Sequence, residues 1–343
     1  MKTGPPVVLC VDKLRKSYRG VEAVSGLSFT LNSHECFGLL GMNGAGKTTT
    51  FRMLAGDLVP TAGNAYIGDA DLATSRRKAS ACRIARYQAR IGYCPQTDVA
   101  LDLLTGREML ALYGRLRGIR ECDLAAVIDR TLQFVDMMQY ADVTTGKYSG
   151  GTRRKLSLAV AFVGNPSVVL LDEPTAAVDP QARRRIWNIL TAVKQNLDLS
   201  ILLTSHCMRE CEALCSRVAI LCQGRFACLG STQQLKEDIG RGATILARCV
   251  PQDADSVCKA LEERFPGAQL RRRHQRGALL RFHVTAQMWH KLFAGMEELR
   301  AEGLVSEYVV SDVSLTEVFL HFARREGKHI SSRAASSPRE ASR

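Results

Sequence analysis

An α/β fold built on a buried parallel sheet is predicted by three features of this sequence. SVVLLDE (167–173) and SILLTSH (200–206) are continuous apolar runs ending in polar residues, the pattern of strands buried on both faces. CFGLLG (36–41) is a third short apolar run, and it feeds a glycine-rich loop that precedes a helix. The stretch from about 102 to 140 takes on helical periodicity, so strands and helices share one region of chain. In open sheets of this class, ligands gather at the carboxyl ends of the strands.

The elements follow in order. VVLCVDKL (7–14) and AVSGLSFTL (23–31) read as short strands before CFGLLG, bounded by Gly, Asn and Ser. FRMLAGDL (51–58) reads as a helix closed by Gly56. GNAYIG (63–68) and IGYCPQ (91–96) read as strands, and the basic segment between them, 74–90, has helical potential. REMLALYGRLRG (107–118), LAAVIDRTLQFVDMM (124–138) and RRKLSLAVAFVG (153–164) are helical. After about 239 the character changes to TILARCV, a helix around 253–265, ALLRFHV, a helix around 286–302, SEYVVSD and a last helix at 314–325. That order predicts a second, small α+β domain. The tail from Glu326 is rich in Ser and Arg, nearly free of apolar residues, and predicted to be disordered.

Bulk properties set limits. A length of 343 residues suits two domains, and 46% hydrophobic with 24% charged residues suits a folded soluble chain. No apolar run reaches the 18 residues or so that a membrane-spanning helix needs, and the first ten residues lack a secretory signal. The net charge of +13 reads as a solvated basic surface, with a nucleic-acid footprint as the alternative. The twelve cysteines show no zinc-type spacing, which together with the missing signal points to the cytosol. Cys207, Cys211 and Cys215 fall on one face of a predicted helix, read as a buried apolar face rather than a metal or redox stripe.

The loop after CFGLLG carries the first chemistry. GMNGAGKTT (41–49) fits G-x-x-x-x-G-K-[ST], with Gly41, Gly46, Lys47 and Thr48 at the fixed positions. Its glycines let backbone N–H groups point inward at phosphate, so Asn43, Gly44, Ala45 and Thr49 join the candidate cradle. The helix that follows adds its positive end. Lys47 is expected on the β- and γ-phosphates and Thr48 on Mg²⁺. The sequence thus predicts binding of Mg²⁺ and ATP.

A hydrolytic set is spread over three strand ends. Asp172 closes an apolar strand, where such an acid holds Mg²⁺. Glu173 stands one residue further on, placed to polarise an attacking water. His206, just past SILLTS, is a candidate γ-phosphate contact, and the Gln96 amide can ligate Mg²⁺ and hydrogen-bond water.

YSGGTRRK (148–155) adds a second anion site, because Ser149, Gly150 and Gly151 open a predicted helix. The order phosphate loop, Gln96, SGG, Asp172–Glu173, Asp179, His206 resembles the ATP-binding-cassette family over residues 7 to about 238. The resemblance implies a phosphate-loop NTPase cassette over 7–238, after a tail at 1–6. A mixed β-sheet core would be joined by an antiparallel β subdomain and an inserted helical subdomain at about 97–165. It further implies that Ser149–Gly151 act on ATP held by a second cassette, that Asp179 lies at the seam of a head-to-tail dimer, and that Tyr18 stacks on adenine. GYCPQTDVALDLLTGREMLALYGRLRG, TSHCMRECEALCSRVAILCQGRF and SLTEVFLHFARRE are similar to the A subfamily of lipid exporters, most of all its second cassette. The 239–325 segment would then be a ferredoxin-like regulatory domain. The expected partners are a second cassette, transmembrane domains outside this chain, and membrane lipid as cargo at the cytoplasmic face of a membrane.

The sequence departs from the subfamily pattern in four places. Ala177 and Val178 stand where Gly and Met are usual, Thr152 stands where Asn or Gln is usual, and the basic segment near 74–90 is longer. None removes a hydrolytic group. The first three are expected to bear on turnover or on communication between sites. The last reads as a solvated insertion, or else a docking surface. The tract RRRHQR (271–276) reads as a solvated hairpin, with a lipid-headgroup or partner contact as the alternative. Two other functional classes remain: a soluble cassette ATPase acting on nucleic acid or ribosomes, and a module that binds ATP without hydrolysing it. A single cassette and the absence of a heptad arm weigh against the first, intact Glu173 and His206 against the second.

Overall fold

The computed structural model describes residues 5–72, 81–197, 199–239, 242–274, 278–284, 289–312 and 314–319. Among them the strands form three sheets, and the chain divides into two compact units, one ending at Thr232 and one beginning at Gln233.

The central sheet of the first unit has the order β10-β9-β3-β8-β7-β6. β3 (Cys36–Gly41), β6 (Ile91–Cys94), β7 (Val168–Asp172), β8 (Ser200–Ser205) and β9 (Arg217–Cys222) run parallel, and β10 (Arg225–Ser231) joins β9 antiparallel, so the sheet is mixed. β3, β7 and β8 are buried at every position, which is why their sequences are apolar throughout rather than alternating. Register then aligns the strand ends. Leu40 lies opposite Ser205, and Asp172 lies opposite Thr204.

A second sheet, β2-β1-β4-β5, is antiparallel. β1 (Val7–Tyr18) and β2 (Val21–Asn32) extend beyond the predicted strands, and β4 (Ala62–Ile67) and β5 (Ala70–Asp71) complete it. Leu9, Val11, Leu14, Leu27 and Leu31 join Phe37 and Leu39 in one hydrophobic core. Phe29 stacks on Phe37 at 5.4 Å between ring centroids. In the basic segment, α2 (Ala81–Gln88) is helical, and residues 74–80 lie outside the described residues.

The inserted helices are α3 (Gly106–Leu116), α4 (Glu121–Phe134) and α5 (Gly150–Phe162). Thr105 caps α3 with a reciprocal box, its hydroxyl accepting from the Glu108 N–H while Glu108 returns to the Thr105 N–H. α5 passes so close to β6 that a Cβ on Gly92 would lie 2.0 Å from the Ala161 carbonyl oxygen. α1 (Lys47–Leu54) begins four residues earlier than FRMLAGDL suggests, because the Lys-Thr-Thr of the loop is already helical. Between α6 (Pro180–Asn196) and β9, α7 (Met208–Leu214) is short. Cys207 and Cys215 therefore flank it rather than sharing its face with Cys211. Cys211 and Cys215 are buried, and Cys215 Sγ lies 3.7 Å from Cys36 Sγ.

The second unit begins within α8 (Thr232–Ile239) and continues as β11 (Ala243–Cys249), α9 (Ala254–Arg264), β12 (Gln269–His274), β13 (Ala278–Val284), α10 (Trp289–Ala301) and β14 (Glu307–Asp312). Its sheet has the order β12-β13-β11-β14 with antiparallel pairs, the βαββαβ arrangement of ferredoxin-like domains. Ile245, Ala247, Leu280 and Phe282 pack against Val257, Leu261, Leu292 and Met296. The tract at 271–276 enters this sheet as the end of β12, while 275–277 lie outside the described residues. Residues 315–319 are helical, and the remainder of the predicted last helix lies outside them too.

Candidate active site

The loop between β3 and α1 is wound by its own backbone. Ala45 N–H donates to the Met42 carbonyl, and Gly46 adopts φ 104°, where a Cβ would also stand 2.5 Å from the Ala23 carbonyl oxygen. Lys47 is 6% exposed, and its Nζ donates to the Gly41 and Met42 carbonyls at 2.8 and 3.1 Å. Burial pushes its pKa below the ordinary lysine value, while the nearby Glu173 and Asp172 charges pull it back up. α1 has no side-chain cap, whereas α3, α5 and α6 are capped by Thr105, Ser149 and Asp179. Its first N–H groups are those an anion would satisfy. Thr48 is exposed and Thr49 half-buried in this first turn, while Asn43 and Gly44 are exposed and Ala45 buried.

The strand ends bring the acids to the same edge. Asp172 is fully buried, and its Oδ1 accepts from Thr204 Oγ1 at 2.6 Å. Among the described residues its Oδ2 is buried with no hydrogen-bond partner. A buried carboxylate oxygen of this kind fits a hard cation, and oxygens from Asp172, Thr48 and Gln96 form the donor class that Mg²⁺ takes. Glu173 is held at φ 51°, and its N–H donates to the Thr204 carbonyl and hydroxyl oxygens at 3.2 and 3.0 Å. This left-handed turn aims its carboxylate between two partners. Gln96 Nε2 donates to Oε2 at 3.1 Å, and His206 Nε2 lies 2.5 Å from Oε1. Gln96, Glu173 and His206, predicted from three distant segments, therefore meet.

Ser149, Gly150, Gly151 and Asp179 form a separate cluster. Ser149 caps α5, its Oγ accepting from the Thr152 N–H and lying 2.8 Å from Thr152 Oγ1. Asp179 caps α6 through Gln181 and Ala182 N–H groups at 3.0 and 2.9 Å. A Cβ on Gly151 would come within 2.9 Å of Ala182 Cβ and 3.9 Å of Asp179 Oδ2, whereas one on Gly150 would meet nothing within 4 Å. Among the described residues, no hydrogen bond or ion pair joins this cluster to Gly41–Thr49. Tyr18, at the end of β1, is exposed, and Lys16 Nζ lies 5.2 Å from its ring centroid.

Three side chains that the sequence reading passed over hold these groups in place. Thr204 touches both acids, and its signal was the parallel register that pairs it with Asp172. Arg154 reaches the carbonyls of both the Gln96 and Glu173 segments from inside α5. Buried Glu210 accepts from Thr175 Oγ1, Trp187 Nε1 and Ser205 Oγ, and burial raises its pKa. It braces Thr175, two residues after Glu173, and Ser205, the residue before His206.

A Gly-rich phosphate cradle, a strand-end acid pair and a serine-capped helix make this an ATP-binding cassette of the phosphate-loop class. The sequence profile of the ABC transporter family matches residues 24–176, and the chain belongs to that family. Members of sub-family A are among its curated relatives. They include mouse ATP-binding cassette sub-family A member 7, 44% identical over 326 residues, which are 94% of this chain and 15% of that protein. Human phospholipid-transporting ATPase ABCA3 is 41% identical over 327 residues, 92% of this chain and 18% of that protein. The chain thus spans less than a fifth of the length of these relatives. Among solved structures, an ATP-binding subunit of an ABC transporter is 25% identical with a TM-score of 0.60, covering 68% of this chain and 93% of that one. A dimeric cassette bound to ADP and Pi, 18% identical with a TM-score of 0.59, covers 65% of this chain and 98% of its own and shares the fold.

Proposed function

We propose that this chain is one half of a two-cassette ATPase motor that powers lipid movement across a membrane. ATP binds along Gly41–Thr49, with Tyr18 against the adenine. Mg²⁺ would be held by Thr48, Asp172 and Gln96 and would supply neutralisation of phosphate charge there. Lys47 exchanges the Gly41 and Met42 carbonyls for phosphate oxygens. Glu173 accepts a proton from the attacking water, held for that task by the Gln96 amide and the His206 imidazole.

The observation that carries the two-cassette reading is the separation of the two clusters. Gln96, Glu173 and His206 converge next to Lys47, while Ser149–Gly151 join Asp179 instead. A second cassette placed head to tail would bring its own Ser149–Gly151 equivalent over the γ-phosphate. Residues 7–238 would form the cassette and 239–325 the regulatory domain. Transmembrane domains outside this chain would convert closure into transport at the cytoplasmic face of the membrane. The lipid cargo is carried over from relatives named as phospholipid-transporting ATPases. Among the described residues no helix is long and apolar enough to cross a membrane.

Steady-state hydrolysis and nucleotide binding of wild type and Glu173→Gln test the hydrolytic assignment. The variant should keep its ATP affinity and lose turnover by on the order of 10²- to 10⁴-fold, the usual contribution of a positioned proton acceptor. Equal turnover in the two proteins would remove Glu173 from its role.

A further inference from the structure

Arg154 lies four residues into α5, the helix that Ser149 caps and Gly150 and Gly151 open. It is 3% exposed. Its Nε donates to the Pro174 carbonyl at 2.8 Å. One terminal nitrogen, Nη1, donates to the Pro95 and Gln96 carbonyls at 2.7 and 3.3 Å. The other, Nη2, donates to the Asp172 and Glu173 carbonyls at 2.9 and 3.0 Å. A guanidinium has five N–H groups in one plane, so these five carbonyls match its whole donor set. Among the described residues the guanidinium forms one ion pair, with Asp98, whose Oδ1 lies 3.7 Å from Nη1.

The acceptors belong to two segments, one carrying Gln96 and the other Asp172 and Glu173. The donor belongs to the helix whose first residues form the anion site for a second cassette. We infer that Arg154 is a positioning residue that ties the Ser149–Gly151 end of α5 to the Gln96–Glu173 pair of the same chain. A shift of α5 when Ser149–Gly151 meet a γ-phosphate would be transmitted to the carboxylate that accepts the water's proton. The inference rests on the two-cassette reading proposed above. Lysine keeps the charge but offers three donors on one nitrogen, so it cannot reproduce the planar fork.

The experiment compares wild type with Arg154→Lys. ATP affinity, turnover against protein concentration, and amide hydrogen exchange at 95–98 and 172–175 are measured on the same preparations. The expected result is an ATP affinity within about threefold of wild type, turnover lower by roughly 10- to 100-fold, and faster exchange in those two segments. That size follows from a displacement of about 1 Å at a reacting group. Where Arg154→Lys does not fold, Asp98→Asn removes the acid paired with the guanidinium. It should lower turnover in the same direction, to a smaller extent, again at unchanged affinity. Wild-type turnover at every protein concentration in Arg154→Lys, or unchanged turnover in Asp98→Asn where that variant stands in, overturns the inference and leaves the two-cassette reading standing. Affinity and turnover falling together also overturn it, because a structural role alone predicts that. Wild-type turnover strictly linear in protein concentration, with and without an added second cassette, overturns the two-cassette reading and the inference with it.

Discussion

Replacing Ala177 with glycine should stabilise this protein, against the usual direction of an alanine-to-glycine change. Ala177 is exposed and sits at φ 56°, between Glu173 and the α6 cap Asp179. A side chain in the left-handed region costs about 1–2 kcal/mol, because Cβ crowds the following carbonyl oxygen. Glycine removes that strain but adds freedom to the unfolded chain, which costs about 0.4–1 kcal/mol. At the middle of both ranges the net gain is about 0.8 kcal/mol. For a unit of this size each kcal/mol moves the midpoint by roughly 2–4 °C, so a rise of about 2–3 °C is expected. Calorimetric unfolding of the whole chain reads it. Ala176→Gly is the control, since Ala176 is exposed and is not among the positive-φ residues. It has only the entropic loss and should fall by about 0.4–1 kcal/mol. If Ala177→Gly lowers the midpoint as far as Ala176→Gly does, the strain argument is wrong.

Two further predictions concern the site. Lys47 has a lowered pKa because it is buried, so the free protein sheds its proton at a pH below 10.5. In the free protein this shift costs stability that is fully present below the lowered pKa and vanishes as pH rises past 10.5. Bound phosphate favours the ammonium. Nucleotide binding should therefore take up protons in the alkaline range and weaken as pH rises through the lowered pKa. Titration calorimetry in buffers of different ionisation enthalpy reads the uptake, and Lys47→Arg should abolish it. Thr204→Val should leave Asp172 Oδ1 buried without its donor, destabilising the nucleotide-free protein by about 1–3 kcal/mol. Mg²⁺ with ATP should recover part of that loss in a thermal shift, and no recovery would argue against a cation at Asp172.

How far the fold could be read followed from how completely burial dictates composition. β3, β7 and β8 are buried along their whole length, and their apolar runs marked them within a residue or two. The tract 271–276 carries no apolar alternation, and where it forms part of edge strand β12 it needs none. β9 and β10 follow each other across Gln223 and Gly224, both at positive φ, so the turn signal was present and went unused. α1 starts at Lys47 rather than at Phe51, because residues suited to phosphate can also be the first residues of a helix.

Within the site, legibility divided along a different line. Residues whose own functional groups would meet the nucleotide, such as Lys47, Asp172 and Glu173, are tied to fixed spacings, because phosphate geometry permits few substitutes. Thr204, Arg154 and Glu210 act on the protein instead. Arg154 binds five main-chain carbonyls, and a carbonyl has no identity in the sequence. Nothing in RRK (153–155) distinguishes a buried fork from a solvated basic turn until the fold places two strand-end segments around it. The departures from the subfamily pattern were visible from the start, yet only backbone geometry gives them a sign. Thr152 keeps a hydrogen bond to Ser149, so this change preserves the cap. Ala177 occupies a left-handed position that suits glycine, so this change adds strain four residues after Glu173. Two departures of similar appearance in the sequence therefore have opposite expected consequences, and the dihedral angle decides between them.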